Sequence, residues 1–145
     1  MKIIVADIDG TIANTDHRSH HVRNKPKNWK AFTAGIPHDT VHTDIVELID
    51  LFAEQGYKII LCTGRGEESR DVTVKWFADH NIGYNQLYMR SRNDHRPDTL
   101  VKVELLNQIR TEHGEPWLWL DDRDGVVAAI RAEGVRVLQV AEGTF

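Results

Sequence analysis

The sequence predicts an open α/β fold built on a parallel five-stranded sheet. Two observations carry this. Five short apolar runs, rich in Ile and Val, are continuous rather than alternating, as in strands buried on both faces. Between them lie segments whose apolar residues recur at helical spacing. Alternation of strand and helix in this order implies right-handed crossovers and a helix layer on each face of the sheet.

The elements follow in order. Lys2–Ala6 is the first strand. Val41–Gln55 sets Ile45, Leu48, Ile49 and Phe52 on one helical stripe, with Gly56 as a stop. Lys58–Cys62 is the second strand. Ser69–His80 carries Val72, Lys75, Trp76 and Asp79 at helical spacing before Gly83, and Gln86–Met89 is the third strand. Thr99–His113 repeats Leu100, Val103, Leu106 and Ile109, closed by Gly114 and Pro116. Trp117–Leu120 is the fourth strand, in which Trp117 and Trp119 read as packing residues. Asp124–Glu133, with Val127, Ala128 and Ile130, precedes Gly134, and Arg136–Val140 is the last strand. Thr11–Thr40 does not fit a βα connection, which normally takes about 2–6 residues. It predicts an inserted cap after the first strand, at about residues 12–40, with a short helix near Asn28–Ala34.

Length and composition bound what such a fold can do. With 145 residues, 41% hydrophobic, the chain suits a single domain with a real core and is too apolar for disorder. A formal charge of −4 excludes nucleic-acid binding by bulk charge, although not a local basic groove. The single cysteine, Cys62, cannot form an internal disulfide and reads as a core strand residue. No apolar stretch reaches the ~18 residues of a membrane span, and no leader precedes the first strand. The expected setting is the cytoplasm, without a membrane partner.

In an open parallel sheet, ligands bind outside the carboxyl ends of the strands. There the sequence sets Asp7-Ile8-Asp9-Gly10-Thr11, Thr63-Gly64-Arg65, Arg90 and Asp121-Asp122, with Lys102 on the following helix. Carboxylates so gathered repel one another and invite a divalent cation, and a hydroxyl with cations around that metal invites a phosphate. In extended backbone Asp7 and Asp9 share a face, so one carboxylate can attack phosphorus while the other handles the leaving-group proton. Taken alone, Asp-x-Asp-Gly is equally a turn. A calcium loop fits poorly, because Arg18 stands where the bidentate Glu belongs. Gly64-Arg65-Gly66-Glu67-Glu68-Ser69 falls one residue short of a dinucleotide fingerprint and puts two acids beside the pyrophosphate. No P-loop motif occurs.

Asp7–Thr11, Leu61-Cys62-Thr63-Gly64-Arg65, Lys102 and Leu120-Asp121-Asp122 together resemble, in order and spacing, the four motifs of the haloacid dehalogenase superfamily of phosphatases. Arg18, Arg90, the run Asp98-Thr99-Leu100-Val101-Lys102, Arg123 and the closing Val135–Phe145 segment narrow the resemblance to the 3′-phosphatase domain of phage-type polynucleotide kinase/phosphatase. The kinase half of that bifunctional enzyme has no counterpart in the sequence, and Thr63 stands where Ser is also common. The resemblance implies a Rossmann-like sheet and a Mg²⁺-dependent phosphomonoesterase acting on a nucleic-acid 3′ end, beside a separate kinase or ligase, with free nucleotides or another small phosphorylated metabolite as the alternative substrate. It implies Asp7 as nucleophile and Asp9 as general acid and base. Mg²⁺ would be held by Asp7, the Asp9 carbonyl, Asp121 and Asp122. Thr63 and Lys102 would hold phosphate oxygens. Asp98 would orient Lys102, and Thr11, Arg18, Gly64, Arg65 and Arg90 would line the phosphate or nucleotide site.

The cap offers a separate hint. From His17 to Lys30 it holds Arg18, Arg23, Lys25, Lys27 and Lys30 without an acid, followed by Phe32 beyond Trp29. Cations for phosphates and rings for bases suit a single strand or a nucleotide. The same residues also suit a solvated loop pinned by its aromatics. His17, His20 and His21, lacking a cysteine nearby, make a poor zinc site.

Overall fold

The computed structural model describes residues 1–145. Its sheet is built outward from the first strand: β1 (Ile3–Ala6), β4 (Lys58–Gly66), β5 (Gln86–Arg90), β6 (Leu118–Asp121) and β7 (Val137–Gln139) run parallel in the order β5-β4-β1-β6-β7. The chain steps from β1 to β4 and β5, then returns to β6 on the other side of β1. The strand order therefore reverses beside β1, where open α/β sheets form their ligand crevice. Ala6 pairs with both Leu61 and Leu120, and the Asp7 N–H donates to the Leu120 carbonyl at 2.9 Å. Register alone thus brings the ends of β1, β4 and β6 to one rim.

The continuous apolar runs have the expected cause. Ile3, Val5, Ile60, Cys62 and Trp119 pack on one face against Val101, Leu105, Leu106 and Ile109 of α5 (Asp98–Glu112) and Val126, Val127 and Ile130 of α6 (Asp124–Ala132). Ile4, Ala6, Ile59, Leu61, Leu118 and Leu120 pack on the other, against Ile49 of α3 (Thr43–Glu54) and Trp76 and Phe77 of α4 (Arg70–Asp79). No helix is long and apolar enough to cross a membrane.

Several boundaries and faces differ from the sequence expectation. β4 continues past Cys62 to Gly66 through a bulge between Thr63 and Gly66, and a 3₁₀ turn at Glu67–Ser69 delays α4. On α5 the buried stripe is Val101, Lys102, Leu105, Leu106 and Ile109, whereas Leu100 is 57% exposed. On α6 Val126 is buried in place of Ala128.

The insertion is closed at its base by a two-stranded antiparallel ribbon, β2 (Ala13–Asn14) with β3 (Thr40–Val41), which uses Val41 and makes α3 start at Thr43. Between lie α1 (Asp16–Arg23), α2 (Trp29–Ala34) and a 3₁₀ turn at Ile36–His38. Helix α2 lies where expected, capped by the Asn28 side chain accepting from the Ala31 N–H at 3.0 Å. Helix α1 has no apolar periodicity to announce it; it buries Arg18 and Ser19 instead.

Candidate active site

Two strand ends converge on a buried acid cluster. Asp7 follows β1, Asp121 ends β6 and Asp122 follows it, and their carboxylate oxygens lie within 4.8 Å of one another. Lys102 enters from the buried face of α5 and is 1% exposed. Its ammonium donates to Asp7 Oδ1 at 2.7 Å and to Asp121 Oδ2 at 3.0 Å. Thr11 donates to the other Asp7 oxygen at 3.3 Å. Asp121 is further held by Trp119 Nε1 at 3.2 Å and by the Asp122 and Arg123 N–H groups. No salt bridge reaches Asp122. Its carboxylate lies against Gly10, where a Cβ would stand 2.0 Å from Asp122 Oδ2 and where φ is +83°. Glycine at the end of Asp-x-Asp-Gly thus gives both the left-handed turn and the room for the fourth strand's acid.

Charge bookkeeping sets the chemistry of this cluster. Three buried carboxylates face one ammonium. Burial and the Asp121 charge push the Asp7 carboxyl well above its ordinary range, against the pull of Lys102. The same two causes push Asp122 up to about 6. Lys102 is raised well above an ordinary lysine: burial opposes its charge, but Asp121 and Asp7 outweigh that penalty. The donor set is all oxygen and carries surplus negative charge, which fits a hard divalent cation such as Mg²⁺.

A second network surrounds Asp9. Arg65 donates to Asp9 Oδ1 through Nε at 3.0 Å and through a terminal nitrogen at 2.5 Å, and Arg18 adds a third bond at 3.0 Å. Burial would raise the Asp9 carboxyl, but these arginines hold it below its ordinary value. Both arginines are themselves buried and share a second carboxylate, Asp39. Arg18 donates to it at 2.7 and 2.8 Å, Arg65 at 3.4 Å, and His17 lies 2.7 Å away. Arg65 also donates to Thr73, and its N–H donates to the buried Thr63 hydroxyl at 3.1 Å.

The family model for the polynucleotide kinase PNKP phosphatase domain matches residues 1–145, the full span that holds both networks. The chain belongs to that family. It is a phosphatase of the haloacid dehalogenase superfamily. Among solved structures, a chain of the Pnkp1/Rnl/Hen1 RNA repair complex is 31% identical with a TM-score of 0.86, covering 99% of this phosphatase and 43% of that chain. A class C acid phosphatase from Bacillus anthracis, 14% identical at a TM-score of 0.69, covers 99% of this chain and 67% of its own, and shares the fold. The mouse phosphatidate phosphatase LPIN3 is 28% identical over 85 residues, 57% of this chain and 9% of that protein. The phosphatase thus spans under half the matched repair-complex chain and a small fraction of the curated relative.

Not every predicted residue of the phosphatase stands where the motif suggested. Arg90 is spent on protein: it donates to the carbonyls of Gly64, Asp94 and Arg96 at 2.9, 3.1 and 2.6 Å and to Asp98 at 3.3 Å. It braces the β5–α5 loop, and Asp98 packs against Gly64. Asp98 does not bond Lys102; its partners are Arg90 and Arg123, and it acts on the ammonium only through its charge. Asp39 is the residue that sequence reasoning missed. The one signal for it was its standing as the first acid after Asp16.

Proposed function

We propose that this phosphatase is a Mg²⁺-dependent phosphomonoesterase that removes 3′-phosphates from nucleic-acid ends through an aspartyl-phosphate. The observation that carries the chemistry is Asp7, a buried carboxylate fixed by Lys102 and Thr11 at the strand-order reversal beside two further acids. Asp7, Asp121, Asp122 and the Asp9 carbonyl would hold the ion. When bound, Mg²⁺ supplies positive charge that offsets the acids and faces the phosphoryl oxygens. The Lys102 ammonium and the Thr63 hydroxyl hold non-bridging oxygens and stabilise the charge of the transition state.

Asp7 Oδ attacks phosphorus as the bond to the ribose O3′ breaks, and Asp9 gives that oxygen its proton. Asp9 then takes a proton from water as the water oxygen attacks phosphorus, releasing inorganic phosphate and restoring Asp7. Arg18 and Arg65 hold Asp9 ionised in the free protein, the state a base needs. Entry of a phosphate draws these guanidinium groups away, so Asp9 takes a proton from solvent to serve as the acid and returns one to solvent when phosphate leaves and the arginines bond it again.

Two features support the polynucleotide end as substrate. The cap carries Arg23, Lys25, Lys27 and Lys30 with no acid from His17 to His38, and it exposes Trp29 at 58%. The Pnkp1 relative comes from an RNA repair complex, and a separate kinase or ligase acting beside this chain is part of the proposal. A reducing, cytoplasmic setting is also part of it, in keeping with the free thiol of Cys62. The test is a substrate panel with Mg²⁺: 3′-phosphorylated oligonucleotides should be hydrolysed with higher kcat/KM than 5′-nucleotides or small metabolite phosphates. Asp7→Asn should lose turnover on all of them. Preference for 5′-nucleotides, or Mg²⁺-dependent turnover by Asp7→Asn, would overturn the proposal.

A further inference from the structure

Beyond the acid cluster, the segment after β7 folds back over the rim. The Gln139 amide donates to the Asp122 carbonyl at 3.0 Å, and the Asp124 N–H donates to the Gly143 carbonyl at 2.7 Å. Gly143 packs directly on this backbone: a Cβ there would stand 1.9 Å from the Asp122 carbonyl oxygen. Phe145 is thereby brought against Arg123, the residue that follows Asp122. Arg123 Nε donates to its carbonyl at 3.0 Å, and the Arg123 guanidinium carbon lies 5.5 Å from its ring centroid. From the cap side, Arg23 in the last turn of α1 places its guanidinium carbon at the same 5.5 Å.

Two features separate this arrangement from a simple brace between cap and core. Phe145 is 55% exposed, although an apolar link would gain by being covered. Arg23 is exposed and forms no salt bridge, whereas Arg18 in the same helix is tied to two carboxylates. An unpaired guanidinium, a second one that keeps a long 3.4 Å bond to Asp98, and an exposed aromatic residue between them suit a phosphodiester with its base. Past Arg23 the chain continues through Lys25 and Lys27 to Trp29, whose ring lies 5.7 Å from the Lys27 ammonium.

We propose that Arg23, Arg123 and Phe145 form a subsite for the nucleotide that precedes the phosphorylated one, the guanidinium groups holding its phosphodiester and the ring its base. This rests on the 3′-phosphatase reading and adds a location and a strand direction. The 3′ terminus lies at Asp7, and the 5′ portion leaves over the end of α1 toward Lys25–Trp29. On this assignment a mononucleotide leaves the subsite empty, so efficiency depends on length at its first step.

The experiment compares the wild type with Phe145→Ala, Arg23→Ala and Arg23→Lys. The substrates are 3′-phosphorylated mono-, di- and trinucleotides of both sugars, and p-nitrophenyl phosphate. The wild type should gain about tenfold or more in kcat/KM from mononucleotide to dinucleotide. Phe145→Ala and Arg23→Ala should lose most of that gain, and Arg23→Lys should keep more of it. A wild type with no gain, or variants equally impaired on every substrate, would overturn the subsite and leave a brace. A labelled oligonucleotide lacking the 3′-phosphate gives a second readout by anisotropy. If the wild type hydrolyses only 5′-nucleotides or p-nitrophenyl phosphate, the 3′-phosphatase reading falls. In that case weaker oligonucleotide binding by Phe145→Ala still supports the subsite, and absence of binding by the wild type removes it.

Discussion

Asp39→Asn is the perturbation on which the second network depends most sharply. Asp9 and Asp39 carry two negative charges and Arg18 and Arg65 two positive ones, so the buried set is neutral as it stands. The substitution keeps the shape and one acceptor but leaves one guanidinium charge without a counterpart, and Arg18 is only 1% exposed. Breaking one side of a buried ion pair costs about 3–5 kcal/mol, and the retained amide oxygen places Asn near the lower end. For a domain of this size, about 3 kcal/mol lowers Tm by roughly 10 °C. The effect on turnover has its own signature. With Asp39 neutral the two arginines repel each other around Asp9, and the group that serves a poor leaving oxygen is misplaced. Turnover of a 3′-phosphate ester should fall by about 10²-fold, within the usual range for general acid catalysis. In kcat/KM, which reports the attack by Asp7 and not the later hydrolysis common to both esters, p-nitrophenyl phosphate, whose leaving group departs unprotonated, should lose much less. Thermal denaturation and steady-state kinetics on both substrates check this. A lowered Tm with equal kcat/KM losses on the two esters would refute Asp39 as the residue that positions Asp9 through its arginines.

Lys102→Met removes the one cation among three buried acids and should lower kcat by about 10²–10³-fold or more. Its Tm in chelator should fall by more than its Tm in Mg²⁺, because the ion replaces part of the lost charge; equal losses would count against a shared ion. For Asp122, burial and Asp121 raise the folded carboxyl to about 6, above its value in the unfolded chain. The folded state therefore binds the proton more readily, and this group costs stability as pH rises from about 4 through about 6. In chelator its contribution should make Tm fall over that window. Mg²⁺ should raise Tm more at pH 7.5 than at pH 5, and a larger rise at pH 5 would contradict the carboxylate assignment.

What could be read from the sequence follows from what the backbone fixes. Strand ends are set by register, so Asp7, Thr63, Asp121 and Asp122 could be located as soon as five apolar runs were seen. The reverse holds for residues whose role depends on side-chain reach across the fold. Arg90 looks like a phosphate ligand because it ends a strand, but it reaches the carbonyls of Asp94 and Arg96, and no pattern of residue types marks a carbonyl. Helix α1 escaped because its stabilisation comes from the ion pairs of one buried arginine rather than from an apolar stripe. Asp39 escaped for the same reason seen from the other side, as it lies 21 residues from its partner Arg18 along the chain.

Lys102 shows how a wrong stripe can still point to the right residue. The helical period read from Leu100 through Val103 and Leu106 puts Lys102 off the apolar face, although its place among the strand-end motifs assigns it to the site. The structure turns that face so that Val101, Lys102, Leu105 and Leu106 point inward, and Leu100 is left in solvent. A lysine on the buried face of a core helix is tolerated only if its charge is answered there, and Asp7 and Asp121 answer it at 2.7 and 3.0 Å. Those acids are in turn tolerated only because the lysine reaches them from a helix packed against the sheet, on the side of Ile3 and Val5. The helix face and the strand-end acids therefore constrain each other.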